Sequence, residues 1–364
     1  MTELYNRKLV LEDGTEFYGC GFGANSDRVC RLVINTAAVG YQEVLSDPSC
    51  AGLAMVMTYP LIGNYGITDE DFESKNPTLG MLIVREYCDS PSNFRFTKTL
   101  SETMEDYRIP GIYGLDTRKL TRKIRDEGSM RVLITDASMS TERAVETIMN
   151  TSDDTDMIAK VSCKKRWYSR TANHKYDIVA VDCGIKHSVI EALKRRRCNV
   201  TVVPYNTDAA EITALRPDAV VIPNGPGEPQ DAKPIMELIR QIKGKIPILA
   251  IGLGFDIACL ALGAKLENRK FCCIGGNHPV KETATGKIKV TSQGDGFMLK
   301  EESLDGTGLQ ATHINILDNT VVGVKSEKDR LLAFQFHPEA SPGPQDFETL
   351  FDTFISMTEG NENA

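Results

Sequence analysis

From Tyr176 onward short apolar runs alternate with helical periods, and this alternation restricts the fold more than any other feature of the chain. Residues 178–181, 200–203, 219–222 and 246–251 are near-continuous apolar runs too short for buried helices. Between them, 188–196, 232–242 and 255–262 carry apolar residues at helical spacing. Strands without a polar face, joined by helices, imply a parallel sheet covered on both sides. The expectation is a doubly wound, flavodoxin-like α/β domain over 176–360. After Leu266 the pattern becomes strand-rich, and a helix near 345–357 precedes a polar tail.

The first 150 residues read as a separate, strand-rich mixed α/β domain. Lys8-Leu9-Val10-Leu11 followed by Glu12-Asp13-Gly14-Thr15 is a strand running into a tight turn, with Asp-Gly as the hairpin signal. Arg31-Leu32-Val33-Ile34 is another short strand. The stretch 115–124 predicts a helix, with Asp116 as its N-cap. Residues 151–175 are polar and mixed in charge, and read as a linker. No internal repeat or low-complexity segment is evident.

At 364 residues and a net charge of −8, the chain lacks the basic footprint of a nucleic-acid binder. The cluster Lys194-Arg195-Arg196-Arg197 reads as the solvated end of a helix. No apolar run approaches the roughly 18 residues that cross a bilayer, and residues 1–11 are too charged for a secretory signal. The 10 cysteines include no C-x-x-C pair, which argues against a metal site and for reduced thiols in the cytoplasm.

Chemistry in open α/β sheets collects beyond the carboxyl ends of the strands, and three segments fall there. Asn224-Gly225-Pro226-Gly227-Glu228-Pro229 is a rigid loop able to offer backbone N–H groups to an oxyanion, or a plain tight turn. Residues 246–251, Gly252-Leu253-Gly254 and the following helix have the strand–turn–helix layout of a nucleophile elbow. The third segment, Phe336-His337-Pro338-Glu339, offers a histidine base and a carboxylate able to orient it. The elbow position is Gly252, so base and orienter have no nucleophile to serve.

Together these motifs resemble the class I glutamine amidotransferase domain. The carbamoyl-phosphate synthase small-subunit family is closer still. The resemblance is carried by Asn35-Thr36, Gly40-Tyr41-Gln42-Glu43, Asp47-Pro48-Ser49, Thr58-Tyr59-Pro60-Leu61-Ile62-Gly63-Asn64-Tyr65-Gly66 and Ser92-Asn93-Phe94-Arg95. It continues through Asp116-Thr117-Arg118-Lys119-Leu120-Thr121-Arg122, Gly275-Gly276-Asn277-His278-Pro279-Val280 and His337-Pro338-Glu339-Ala340-Ser341-Pro342-Gly343-Pro344. It implies a heterodimer in which this subunit hydrolyses glutamine and passes ammonia through a tunnel to a large subunit. That partner holds ATP and magnesium and makes carbamoyl phosphate from bicarbonate, for arginine or pyrimidine synthesis; no cofactor is implied in this chain. It also implies His337 as base, Glu339 as its partner, and a glutamine pocket including Ser49, Gly225, Gly227, Leu253, Asp256, Gly294, Gly296 and Phe297. The N–H groups of Gly225 and Leu253 would face the oxyanion.

The chain departs from the family where the reaction occurs. The family's Gly-Ile-Cys-Leu-Gly-His-Gln is here Ile251-Gly252-Leu253-Gly254-Phe255-Asp256 after Ala250, and its Gln-Asn-His-Gly-Phe is Gln293-Gly294-Asp295-Gly296-Phe297. Gly252 cannot form the thioester of this class and is expected to relax the elbow. Asp256 replaces a substrate-binding glutamine and would repel a substrate carboxylate. Cys183 and Cys259 read as packing residues, Cys272 and Cys273 as strand residues, and His278 as structural or interfacial. His313 is uninformative in the sequence. The leading expectation is a glutaminase pseudoenzyme that scaffolds an ammonia-using complex. The alternatives are a working glutaminase with another nucleophile, and a non-catalytic metabolite-binding protein.

Overall fold

The computed structural model describes residues 5–152, 155–294 and 296–359, so Asp295 lies outside the described residues. Two compact units are present: residues 1–154 with Lys270–Ile274, and residues 155–269 with 275–364.

In the first unit seven strands form a closed ring: β1 (Arg7–Leu11), β2 (Glu16–Gly23), β3 (Arg28–Asn35), β4 (Leu53–Met57), β5 (Met81–Ile83), β6 (Pro110–Tyr113) and β7 (Arg131–Asp136). Their order is β1-β2-β6-β5-β4-β3-β7, with β7 pairing back onto β1. The turn after β1 is closed by Leu11 N–H donating to Thr15 O at 2.9 Å, and Gly14 takes φ 84° there. Leu9, Phe17, Leu32, Val56, Ile83, Ile112 and Ile134 fill one core, joined by Leu120 and Ile124 of α1 (Thr117–Glu127). Asp116 caps that helix by accepting the Lys119 N–H at 2.9 Å. Lys270–Ile274 also belongs here: Cys273 and Ile274 pair in parallel with Ile34 and Asn35, and Thr36 N–H donates to Ile274 O at 2.8 Å.

The second unit is built on five parallel strands: β8 (Tyr176–Asp182), β9 (Cys198–Pro204), β10 (Ala219–Ile222), β11 (Ile248–Ile251) and β12 (Leu331–Phe334). The order is β9-β8-β10-β11-β12. This is the flavodoxin-like arrangement, which puts four strand ends side by side at one edge. Helices α2 (His187–Arg195), α3 (Lys233–Ile242) and α4 (Leu253–Ala261) bury their apolar faces, Val189 and Leu193 on one core and Ile235, Ile239 and Ile257 on the other. Beyond β12 the sheet continues antiparallel through Val321–Ser326, Gln310–Asn315, Cys273–Glu282 and Ile288–Gln293. Among the described residues no helix is long and apolar enough to cross a membrane.

Residues 151–175, expected as a linker, carry structure in their described part. Met157–Val161 is a short helix with Ile158 in the core, and Trp167–Ser169 pairs antiparallel with β9, Trp167 opposite Val202. An outermost strand half exposed to water has no apolar run, so its polar composition hid it.

His313 gains a role in this unit. Its ring lies edge-on to Phe334, Phe336 and Phe347, each with centroids 5.3 Å away. Burial, with Lys289 adding to it and Glu282 opposing it, pushes its pKa down from 6.5 to about 4. The folded state therefore prefers the neutral ring, and the unfolded chain binds the extra proton below 6.5. Stability is complete above that value and falls by about 3 kcal/mol as pH drops toward 4. Urea melts of His313→Leu at pH 7 and pH 4.5 are expected to lose this part of the acid dependence. An unchanged difference between the two pH values would refute the assignment.

Candidate active site

Four loops meet beyond the carboxyl ends of β8, β10, β11 and β12. At the end of β11 the chain turns through Gly252 at φ 57° and ψ −118° directly into α4. An L-residue is strained at such angles, and nucleophile elbows impose that strain on purpose. Gly252 takes these angles without that strain, as glycine can. The neighbours hold them. Gly252 N–H donates to Phe334 O at 2.8 Å, and a Cβ at Gly254 would lie 2.2 Å from Ile222 O. α4 starts so close to β10 that only glycine fits there.

The space a nucleophile's Cβ would take is filled. A Cβ built at Gly252 falls 2.4 Å from Asn224 Oδ1 and 2.5 Å from its Cγ. The same Oδ1 accepts the Leu253 N–H at 2.8 Å. That N–H is one of the two expected oxyanion donors, so a side chain of the Asn224 loop satisfies it internally. The other donor, Gly225, packs so tightly on Cys183 that a Cβ would lie 2.1 Å from the Cys183 carbonyl oxygen. Gly227 is exposed, with φ 96°. Phe255 points into the core and does not fill the elbow space.

Base and orienter are brought together and buried. Glu339 Oε1 sits 3.2 Å from His337 Nδ1, and His337 N–H donates to Ser292 O at 2.9 Å. Lys186, which sequence reading gave no role, completes the group. It reaches in from the end of β8 and donates from Nζ to Glu339 Oε1 at 3.2 Å and to Ala340 O at 2.7 Å. Burial alone would raise the Glu339 pKa; the Lys186 ammonium and then the His337 ring outweigh it and hold the carboxyl at about 2. Glu339 is thus a permanent anion that fixes the imidazole. The signal for Lys186 was its place just after a parallel strand.

The remaining expected pocket residues divide. Asp256 is buried in the first turn of α4 and accepts from Gln335 Nε2 at 3.1 Å, and the same Nε2 donates to Phe297 O at 3.1 Å. Gln335, another residue without a predicted role, thereby ties Asp256 and Phe297 to β12. Gly296 accepts the Arg269 N–H at 2.7 Å, and Gly294 is half-buried after the strand Ile288–Gln293. Ser49 belongs to the first unit, where its hydroxyl donates to Asp47 Oδ1 at 2.7 Å. Cys183 and Cys259 are fully buried, and burial pushes both thiols well above the ordinary thiol range. Thiols kept protonated in this way are inert as nucleophiles.

The family model described as carbamoyl-phosphate synthase small chain, CPSase domain, matches residues 9–134, and the class I glutamine amidotransferase model matches residues 179–357. The chain is 45% identical over 358 residues to the carbamoyl phosphate synthase small chain of Fusobacterium nucleatum, covering 98% of this chain and 99% of that one. It is 43% identical to the pyrimidine-specific small chain of Halalkalibacterium halodurans, with 98% of each chain covered. To the pyrimidine-specific small chain of Bacillus subtilis it is 44% identical, covering 98% of this chain and 97% of that one. With both domains matched and the similarity running nearly end to end, the chain belongs to the carbamoyl-phosphate synthase small-chain family.

Proposed function

We propose that this chain is a small subunit whose glutamine-hydrolysing centre is silent, and that it serves a large, ATP- and magnesium-using cytoplasmic partner as scaffold while the complex draws on free ammonia. The observation that carries this reading is the Asn224 side chain, which stands where the nucleophile's Cβ would be and accepts the Leu253 N–H. The centre thus lacks the group that attacks, and one donor that would stabilise the tetrahedral oxyanion is already occupied. Loss of a triad nucleophile alone lowers kcat by about a millionfold in serine proteases studied this way. His337, Glu339 and Lys186 keep their mutual geometry, which supports a structural use for them in a chain without the thiol.

The test is to purify the chain with its large subunit and measure carbamoyl phosphate formation from glutamine and from ammonium. Ammonium is expected to support synthesis and glutamine to give only background. Glutamine-dependent turnover comparable to the ammonium rate would overturn the proposal. A glutamine-analogue electrophile is expected to label no cysteine; labelling of Cys183 would favour a second nucleophile. Failure to form a complex with the large subunit would refute the scaffold role.

A further inference from the structure

In the first unit, away from the elbow, Thr58, Thr117, Arg118, Thr121, Arg122 and Arg125 line a cavity of about 480 Å³. We infer that this cavity is a binding site for a small phosphate-bearing molecule. The helix that builds it is α1. Leu120 and Ile124 face the barrel core, so the 3.6-residue period sets Arg118, Arg122 and Arg125 along an adjoining face and Thr117 and Thr121 beside them. Thr58, just after β4, completes the lining.

Three observations converge on an anion. The lining offers three guanidinium groups and three hydroxyls and no carboxylate. Two of the three charges are not used internally. Lys123 on the same helix pairs with Asp13 at 2.6 Å and Glu127 at 2.8 Å, and Arg125 approaches Asp126 at 3.2 Å. Arg118 and Arg122 have no carboxylate within 4.0 Å among the described residues, although they are stacked at i and i+4, where like charges repel. Finally, Thr121 Oγ1 is covered and makes no hydrogen bond among the described residues, whereas a helical threonine ordinarily returns its hydroxyl to the carbonyl one turn back.

Guanidinium forks recognise phosphate oxygens in pairs, and hydroxyls complete the shell. The volume exceeds what one bare oxyanion needs and falls in the range of small-ligand pockets, about 300–1,000 Å³. A net charge of −8 makes a general attraction of anions to this chain improbable, so binding rests on the local site. The inference is independent of whether the glutaminase centre works.

The test is calorimetry on the full chain with inorganic phosphate, pyrophosphate and glycerol 3-phosphate, against sodium chloride at matched ionic strength. Saturable binding at one site per chain is expected. The phosphomonoester arm distinguishes a metabolite site from one for phosphate or pyrophosphate alone. Arg118→Ala and Arg122→Ala are each expected to weaken binding at least about tenfold, the loss of one charge-assisted contact. Arg195→Ala, which alters a cation on the second unit, is expected to change nothing. Hydrogen exchange gives a readout that needs no variant: phosphate should slow exchange over residues 117–125 and leave 187–195 unchanged. No saturable binding above the chloride control, or equal affinity in the Arg118→Ala/Arg122→Ala double variant, would overturn the inference.

Discussion

Gly252→Cys, made alone, is expected to restore a reactive thiol but not glutamine hydrolysis. The new Cβ lands 2.4 Å from Asn224 Oδ1, so that side chain must leave and the Leu253 N–H loses its acceptor. The new residue must also hold φ 57°, which costs about 1–3 kcal/mol, and overpacking adds about 1–3 kcal/mol. The variant should therefore melt lower than the parent, yet react with iodoacetamide, because His337 and Glu339 wait at the end of the next strand. Turnover should stay near background. Asp256 is tied to Gln335, and positions 294 and 295, where the family resemblance implies Asn and His, are Gly and Asp. Gly252→Cys/Asp256→Gln is expected to exceed the single variant in glutamine turnover. The measurements are carbamoyl phosphate formation from glutamine and the thermal midpoint of each variant. Full glutamine activity in the single variant would show that the pocket changes are silent and that the glycine alone disabled the centre.

Lys186→Met carries the largest expected effect on stability. It strips a buried carboxylate of its main counter-charge, and breaking one side of such a pair costs about 3–5 kcal/mol. The double variant Lys186→Met/Glu339→Gln should recover part of that loss, because no uncompensated charge remains. The pH profile separates this from simple packing damage. In the parent, Glu339 has a folded pKa of about 2 against an ordinary 4.5, so its contribution is present above 4.5 and lost as pH falls toward 2, about 3 kcal/mol in all. In Lys186→Met burial dominates, the carboxyl moves upward, and stability no longer falls over that interval. Denaturant titrations at pH 7 and pH 3 measure both effects. An equal pH 7 to pH 3 difference in the two proteins would refute the account.

The second unit was legible because its signals were redundant. Strands at 178–181 and 219–222 are apolar throughout and 200–203 is interrupted only by Thr201, the pattern of strands covered on both faces. Asp116 was recognisable as a cap because side-chain chemistry at a helix start is local. The closed ring of the first unit was not legible, since closure depends on β7 meeting β1 across more than a hundred residues, and no local pattern records that pairing. At the site, sequence located Gly252, His337 and Glu339, because each sits in a turn with its own signature. It gave no role to Lys186, Asn224 or Gln335. Their importance lies in where a side chain ends in space, and a lysine, an asparagine and a glutamine near strand ends have many possible partners. The contacts that hold the elbow were hidden for a related reason: packing of α4 against β10 and the bond from Gly252 to Phe334 join segments far apart in the chain.

Residues 270–274 bear on whether a chain of this kind could dispense with its second unit. They are encoded in the middle of the second unit yet supply the strand pairing for Ile34 and Asn35 in the first. The border between the units is therefore not a point on the gene. Truncation after residue 154 would remove a partner of β3 along with the amidotransferase fold, leaving the Thr36 amide without its acceptor carbonyl on Ile274. Mutation can erase the chemistry of the second unit residue by residue, but deletion cannot remove that unit without damaging its neighbour. A chain built this way changes its second unit by substitution more readily than by deletion.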